Sequence, residues 1–570
     1  MIEVMHRCWL AKTARWEFIG QEFHLPQIAF FSSARHSPPS DAELTCGPKG
    51  LLTAQGSILS PDCAFQEGML PPFDPFPMGC EDAASLRSDG AVCLLQGQGW
   101  HDAPVPRAEL YVLVNAAEMH THPREFAQRL AGFAELAPRE SVLYAPACAT
   151  PANLAVLVYC GVGLVDNIRG LVAARLGMHT WHGGDMPADP YNYEGLAASN
   201  SAELQREMER ISRYIEQGRL REYAEYKAAA DPMAQALLRH MDLRHYDAVE
   251  HFVPVAGPRF NATSSTSLHR PDVVRWQRRI LERYRPPVGV ETLLLLPCSA
   301  KKPYSMSRSH ALFKRALRAS GCEHVIHEVI VTSPLGLVPR ELEAFYPARE
   351  YDVPVTGDWT MEERHRVLTM LRHFINVGRY RLVVLHLGAE AQLLKDEIEA
   401  FASTGGEDPT SREALADLAE VLRTASGGKK MIGRMRLAMN ALSMARFQFG
   451  DAGALLAEQC EIEVGRGHLR FVKDGEHVAS YSQQKGQISL TMAGGRLLAQ
   501  AHAWRVQIDD FMPQGSVFVS GVLEVDPEIR AGDEVVVVHG DDLRAIGTAK
   551  MSAAEISSAT KGEAVRIRKR

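Results

Sequence analysis

Residues 292–310 read TLLLLPCSAKKPYSMSRSH, and this stretch decides how the middle of the chain folds. The four-leucine run after Thr292 reads as a buried parallel strand. It stops at Pro297 and delivers Cys298 to a loop. Ligands of open α/β sheets bind in the crevice beyond the carboxyl ends of the strands, so this loop is a candidate site. It is dense in reactive groups: the thiol of Cys298, the amines of Lys301 and Lys302, the phenol of Tyr304, the hydroxyls of Ser299, Ser305, Ser307 and Ser309, and the imidazole of His310. Cys298 alone would be a weak pointer, because free cysteine is often a core residue. Its place between proline and serine at a strand end, beside cations, favours a nucleophilic role. His310 opens or enters the next helix and is a candidate general acid or base.

Two further strands end in the same way. The run 325–331 empties into Thr332, Ser333, Pro334, Leu335 and Gly336, and the run 381–387 carries His386 and ends at Gly388 and Glu390. Three strand ends thus bring small and polar residues to one edge, although serine and glycine are also ordinary turn formers.

Upstream, 110–114 and 141–145 read as strands, 123–134 as a helix, and 154–159 lies in a further apolar run. This alternation implies α/β architecture with parallel strands. A helix over 202–226 is expected, with Asn200 as its N-cap, Glu203 three residues on, and Leu204, Met208, Ile211 and Ile215 as one stripe. Residues 1–100 are irregular, with Pro71, Pro72, Pro75 and Pro77 among long loops and a short strand at 27–31. Residues 254–271 read as a linker, and a second break falls at 403–411, where Thr410 and Glu413 suggest a capping box. An amphipathic helix is expected at 431–447; from about 460 onward, short alternating runs such as 468–472 and 488–491 are an all-β texture.

The 570 residues suggest about three to four domains. With 46% apolar and 23% charged residues, wholesale disorder is excluded. The net charge of −7 means that any nucleic-acid site must be local. The apolar run at 154–165 is interrupted by glycines, so no membrane span is expected, and residues 1–18 lack the apolar core of a signal peptide. Ten cysteines without a CxxC are neither a disulfide framework nor a zinc ribbon, and a reducing cytoplasm is the expected compartment.

The spacing Pro297-Cys298, Lys302-Pro303-Tyr304, Ser307, His310 resembles the signature of the archaeosine synthase family, tRNA-modifying enzymes related to tRNA-guanine transglycosylases. The blocks TSPLGLVPREL at 332–342 and YDVPVTGDW at 351–359 look like the same family. The segments YVLVNAAE at 111–118 and TPANLAVLVYCGVGLVD at 150–166 resemble degenerate transglycosylase barrel segments. The Asp-Ser-Gly-Gly block of transglycosylases is missing, no cysteine lies in 183–193, and Ser199 stands where the last zinc ligand would be, so base exchange is not expected. His179 and His182 without cysteines read as ordinary polar residues. Residues 504–570 resemble a PUA domain, a small RNA-binding β-barrel, closing on Arg566, Arg568, Lys569 and Arg570.

The resemblance implies a multidomain α/β plus β protein. Residues 1–250 would form a degenerate TIM-barrel-like, transglycosylase-type domain and 251–425 a Rossmann-like α/β catalytic core. Residues 426–500 would form a small α+β domain and 501–570 a PUA β-barrel. It also implies a transferase that adds an amine, that of free lysine, to the nitrile of 7-cyano-7-deazaguanine (preQ0) in the tRNA D-loop, giving an amidine. A radical-SAM partner enzyme would complete archaeosine. Cys298, His310, Tyr304, Lys302 and Ser307 would be catalytic; Ser333, Arg340, Glu341, Asp352, Asp358 and Gly388 would bind substrate; the four C-terminal cations would bind RNA. No cofactor and no metal are expected, and the oligomeric state is open. Rival readings are transglycosylase base exchange, a glutamine-dependent amidotransferase, and a tRNA-binding adapter without chemistry.

Overall fold

In the computed structural model, the described residues are 2–18, 20–32, 36–47, 50–53, 56–57, 84–86, 91–95, 105–114, 116–354, 359–388, 394–395, 398, 401–465 and 468–570. Pro71, Pro72, Pro75, Pro77, Asp358 and Glu390 lie outside them. The chain divides into two units, Met1–Val253 with Ala554–Gly562 and Pro254–Ala553 with Glu563–Arg570.

The first unit carries a nine-stranded sheet. Its interior strands Gln27–Phe31, Leu164–Asp166, Val142–Tyr144, Leu110–Leu113 and Val92–Leu95 run parallel. Three of these, Leu110–Leu113, Val142–Tyr144 and Leu164–Asp166, are buried at every position, as parallel strands covered on both faces are. The apolar run at 154–159 is a fully buried helix, Leu154–Tyr159. The single helix expected over 202–226 is two. The first, Tyr193–Glu216, starts earlier, with Asn192 as its cap: its side chain accepts from the Gly195 amide at 3.3 Å. The second is Leu220–Ala228, set off by Gly218 at φ 68°. Asn200 is buried within the first helix. Its amide donates to Gly170 O at 2.9 Å and accepts from the Thr180 amide at 2.9 Å. An asparagine satisfied by neighbouring backbone has no need of a helix end, and that is why the cap lies eight residues earlier than the sequence signal suggests. Leu204, Met208, Ile211 and Ile215 form the buried stripe.

The second unit is built on a five-stranded sheet. We label β1 (Thr292–Pro297), α1 (Arg308–Ser320), β2 (Ile326–Thr332), β3 (Gly336–Pro339), α2 (Met361–Gly378), β4 (Leu382–Leu385), β5 (Phe401–Ser403) and α3 (Arg412–Ala425). The order across the sheet is β3-β2-β1-β4-β5, parallel throughout except for the β2–β3 hairpin. The chain passes from β1 to its neighbour β2 and then returns to β4 on the other side of β1. The strand order therefore reverses at β1, which places the ligand crevice of such a sheet at the end of the leucine strand. On one face, Leu294, Leu296 and Val384 pack with Phe313, Leu317, Leu418 and Leu422 of α1 and α3. The cap of α3 is Ser411, accepting from the Ala414 amide at 3.1 Å; Thr410 is held instead by Asp408 at 2.7 Å. The aspartate before Pro409 competes for Thr410, so the expected Thr410–Glu413 box does not form.

The helix expected at 431–447 continues as α4 (Gly433–Glu458), broken at Gly450 with φ 61°. An antiparallel sheet follows: β6 (Glu461–Gly465), β7 (His468–Lys473), β8 (Glu476–Ser482) and β9 (Gln487–Leu490). The C-terminal strands form a six-stranded mixed sheet closed by Glu563–Lys569. Among the described residues no helix is long and apolar enough to cross a membrane.

Candidate active site

β1 carries its leucines into the core, each at most 1% exposed, and releases the chain at Pro297. Cys298 follows, partly exposed. Lys302 folds back so that Nζ stands 4.0 Å from the Tyr351 ring centroid and 5.8 Å from that of Tyr304. An ammonium over two phenol faces is a cation–π arrangement. Burial pushes the Lys302 amine below its ordinary value; Cys298 and Asp352 act against that shift, and Arg259 adds to it. Lys302, Cys298, Asp352 and Arg259 therefore share one electrostatic neighbourhood.

Below them runs a chain of hydroxyls. Tyr304 and Tyr351 are buried, with their oxygens 2.5 Å apart, and Tyr351 lies 2.5 Å from Thr332 Oγ1 at the end of β2. Thr332 donates to Ser333 O at 3.2 Å, so the protons run from Tyr304 to Tyr351 to Thr332. Burial raises both phenols well above their ordinary range, and they stay protonated at neutral pH. Tyr304 thus spends its hydrogen inside the fold, whereas Lys302 and Cys298 remain partly exposed.

The second half of the loop is different. Ser307 caps α1, accepting from the His310 amide at 3.2 Å. His310 donates from Nε2 to Pro297 O at 3.0 Å and accepts at Nδ1 from Arg340 at 2.7 Å. Because a guanidinium only donates, the ring proton belongs on Nε2. Burial, then the charge of Arg340, lowers the imidazole to about 3. The general acid role expected of His310 therefore gives way to a holding one: a neutral ring tying the end of β1 to the start of α1. His386 is used in the same way, bonded to Thr404 at 2.9 Å and Pro409 O at 2.8 Å and lowered by burial to about 4.

Several expected binding residues are also committed. Arg340 donates to Glu328 at 3.0 Å and Glu343 at 2.9 Å besides His310, which leaves no fork for a substrate carboxylate. Ser333 donates to Glu363 at 2.5 Å, beside the capping box that Thr360 and Glu363 form at α2. Glu341 is buried and accepts from Tyr284 at 2.5 Å. Burial alone would raise its carboxyl, but His327, Arg436 and Tyr284 override this and hold it at about 2. Asp352 pairs with Arg259 at 2.5 Å, and Gly388 is partly exposed just beyond β4.

At the C-terminus Arg566 pairs with Glu563 at 2.6 Å, and Arg568 donates to Leu490 O at 2.7 Å and to Glu534. Lys569 and Arg570 are exposed. Ser199 hydrogen-bonds His179 at 3.1 Å where the resemblance placed a lost zinc ligand. Among the described residues no group of three or more His, Cys, Asp or Glu side chains could hold a metal. Tyr351, Thr332 and Arg259 lie inside segments quoted from the sequence, which gives them no role in the site because their pairing with the loop is long-range.

Residues 273–422 match a domain of unknown function, DUF5591, and residues 505–570 match the PUA domain. The chain is 33% identical over 530 residues to the archaeosine synthase subunit alpha of Methanosarcina acetivorans, covering 86% of this chain and 83% of that protein. It is 34% identical over 491 residues to the archaeosine synthase of Haloferax volcanii, covering 81% and 82%. A tRNA-guanine(15) transglycosylase of Methanobrevibacter smithii is 26% identical over 378 residues, covering 64% of this chain and 53% of that protein.

Proposed function

The chain belongs to the archaeosine synthase family, and from that premise we propose that it is a tRNA-modifying transferase adding the side-chain amine of free lysine to the nitrile of 7-cyano-7-deazaguanine in tRNA. The observation that carries this reading is the group of Cys298, Lys302, Tyr304 and Tyr351 at the point where the strand order reverses. The first unit is read as a degenerate transglycosylase-type barrel, the central sheet as Rossmann-like, and the PUA module as a tRNA dock. A radical enzyme acting on the product is the proposed partner.

A nitrile needs a nucleophile at carbon and a proton at nitrogen. The sulfur of Cys298 attacks the carbon, its proton passes to Lys302, and Lys302 delivers a proton to the nitrile nitrogen, giving a thioimidate. A lysine made less basic by burial exchanges protons in this way more readily than an ordinary one. The incoming neutral amine adds to the thioimidate carbon, the C–S bond breaks, and the thiolate recovers its proton; the amidine leaves and Cys298 is regenerated. Tyr304 and Tyr351 hold Lys302 through their ring faces, His310 holds the strand end, and the Asp352–Arg259 pair adds its charges to the surroundings of Lys302. Supplying lysine and glutamine separately to preQ0-bearing tRNA and weighing the nucleoside tests the reading. A mass gain of one lysine is expected; gain from glutamine alone, exchange of the base, or no change would each reject it.

A further inference from the structure

The loop that carries Cys298 leads into a stretch of one charge sign. From Thr292 to Cys322 the chain has no Asp or Glu in 31 residues, and it carries six cations, Lys301, Lys302, Arg308, Lys314, Arg315 and Arg318. With 69 acidic residues in 570, about four would be expected in such a length. The fold sets this charge outside. Arg308, Lys314, Arg315 and Arg318 are exposed on α1, whose other side is buried through His310, Phe313 and Leu317. At about 100° per residue, Arg308, Arg315 and Arg318 fall within an arc of about 80°. The exposed Ala311 lies in the same arc and adds no bulk between them. Among the described residues Arg308, Lys314 and Arg315 form no ion pair. Arg318 meets Glu323 at 3.6 Å, with side chains 62% and 35% exposed, a pairing too wet to hold it strongly. Helix stability does not account for the arrangement: the first turn of α1 holds Arg308 and no acid, against the preference of a helix N-terminus for negative charge. The helix packed against it, α3, mixes Arg412, Glu413, Asp417, Glu420 and Arg423, so the excess of positive charge belongs to α1.

We propose that this face of α1 docks the phosphate backbone of the tRNA strand that carries the reacting nucleotide, with Arg308, Arg315 and Arg318 each meeting a phosphate. The strip has a fixed starting point. His310 Nε2 donates to Pro297 O at 3.0 Å, so the first turn of α1 is pinned to the strand end from which Cys298 follows. The positive strip therefore begins beside the candidate site and runs about 15 Å from Arg308 to Arg318. Guanidinium groups suit phosphate oxygens because they donate in pairs. On a chain of net charge −7, a polyanion has to be met by a local positive surface. The C-terminal Arg566 and Arg568 are already tied to Glu563 and Glu534, whereas the cations of α1 face outward with their charge unspent. The inference rests on the proposed function only in taking tRNA as the substrate; it does not depend on the amine that is added.

The test is filter binding of preQ0-bearing tRNA to the full chain over a range of salt concentrations, without lysine. Changing Arg308→Gln, Arg315→Gln and Arg318→Gln together should weaken binding about tenfold or more at low salt, with an unchanged melting temperature. The slope of log affinity against log salt should become shallower by about two, as three lost phosphate contacts at about 0.7–0.9 each require. The corresponding triple change to Lys keeps the charge and should bind within about threefold of the parent. Changing Arg412→Gln, Lys430→Gln and Lys485→Gln together removes three exposed cations elsewhere in the same unit and should leave the slope as it is. Ethylating the phosphates next to the target nucleotide should hinder binding of the parent and not of the first variant. An unchanged slope in the first variant, an equal loss in the control variant, or interference confined to phosphates remote from the target would overturn the dock. If the slope falls as described and lysine adds no mass to tRNA, the proposed function fails and the dock stands. If lysine is transferred while the first variant binds tRNA as the parent does, this inference fails and the proposed function stands.

Discussion

The two halves of one loop invite comparison. From Cys298 to Tyr304, the thiol stays partly exposed and Lys302 has its basicity displaced by burial. From Ser307 to His310, groups of equal chemical promise are consumed: the serine caps a helix, and the histidine has both nitrogens bonded and a proton affinity too low for neutral pH. Residue type marks a loop as interesting; the accounting of bonds separates the part that can act on a ligand from the part that builds the platform. The C-terminal cations teach the same lesson, since Arg566 and Arg568 are tied to Glu563 and Glu534.

The sharpest way to break the contrast is to remove one group from each half. Cys298→Ala should lower turnover by about a thousandfold or more while tRNA binding stays within a few-fold. Turnover within about tenfold of the parent would reject the covalent route. His310→Ala should instead act on stability: it leaves Pro297 O and an Arg340 donor without their partner, at a cost of about 1–3 kcal/mol measurable by denaturant unfolding. A pH profile sharpens the distinction. His310 is lowered in the fold to about 3 and His386 to about 4, so below the ordinary imidazole range the unfolded chain binds more protons than the folded one. Stability is therefore expected to be full above about pH 6.5 and to fall as pH drops toward the folded values. His310→Gln should flatten that fall, and kcat/KM should show no limb assignable to His310 between pH 5 and 8.

Lys302→Met should reduce turnover by about ten- to a hundredfold, with little change in melting temperature, in keeping with a proton-carrying group that is only half-buried. The smallest effect is expected at the C-terminus. Deleting residues 505–570 should weaken tRNA affinity and its salt dependence. Arg566→Ala alone, whose charge is already paired, should change affinity less than about twofold by filter binding or fluorescence anisotropy.

Much of the architecture was legible because it rests on local pattern. The leucine run is β1, the run at 325–331 is β2 to within one residue at each end, the run at 381–387 contains β4, and the stripe from Leu204 to Ile215 is buried. The place of the site was legible too, since a strand end in an open sheet is a general address. What was hidden depends on distant partners. Tyr351 is 47 residues from Tyr304, and Arg340 is 30 residues from His310. A cap such as Asn192, rather than the better-looking Asn200, follows from which asparagine the neighbouring backbone takes up.

The central claim is that Cys298 activates a nitrile for attack by lysine. Mass spectrometry of the denatured protein after incubation with preQ0-bearing tRNA, in the absence of lysine, reads this directly. A nuclease-trimmed adduct on Cys298 that disappears when lysine is added, with one lysine then found on the nucleoside, is the predicted result. Lysine transfer at the parent rate by Cys298→Ala, with no adduct on the parent protein, would contradict it.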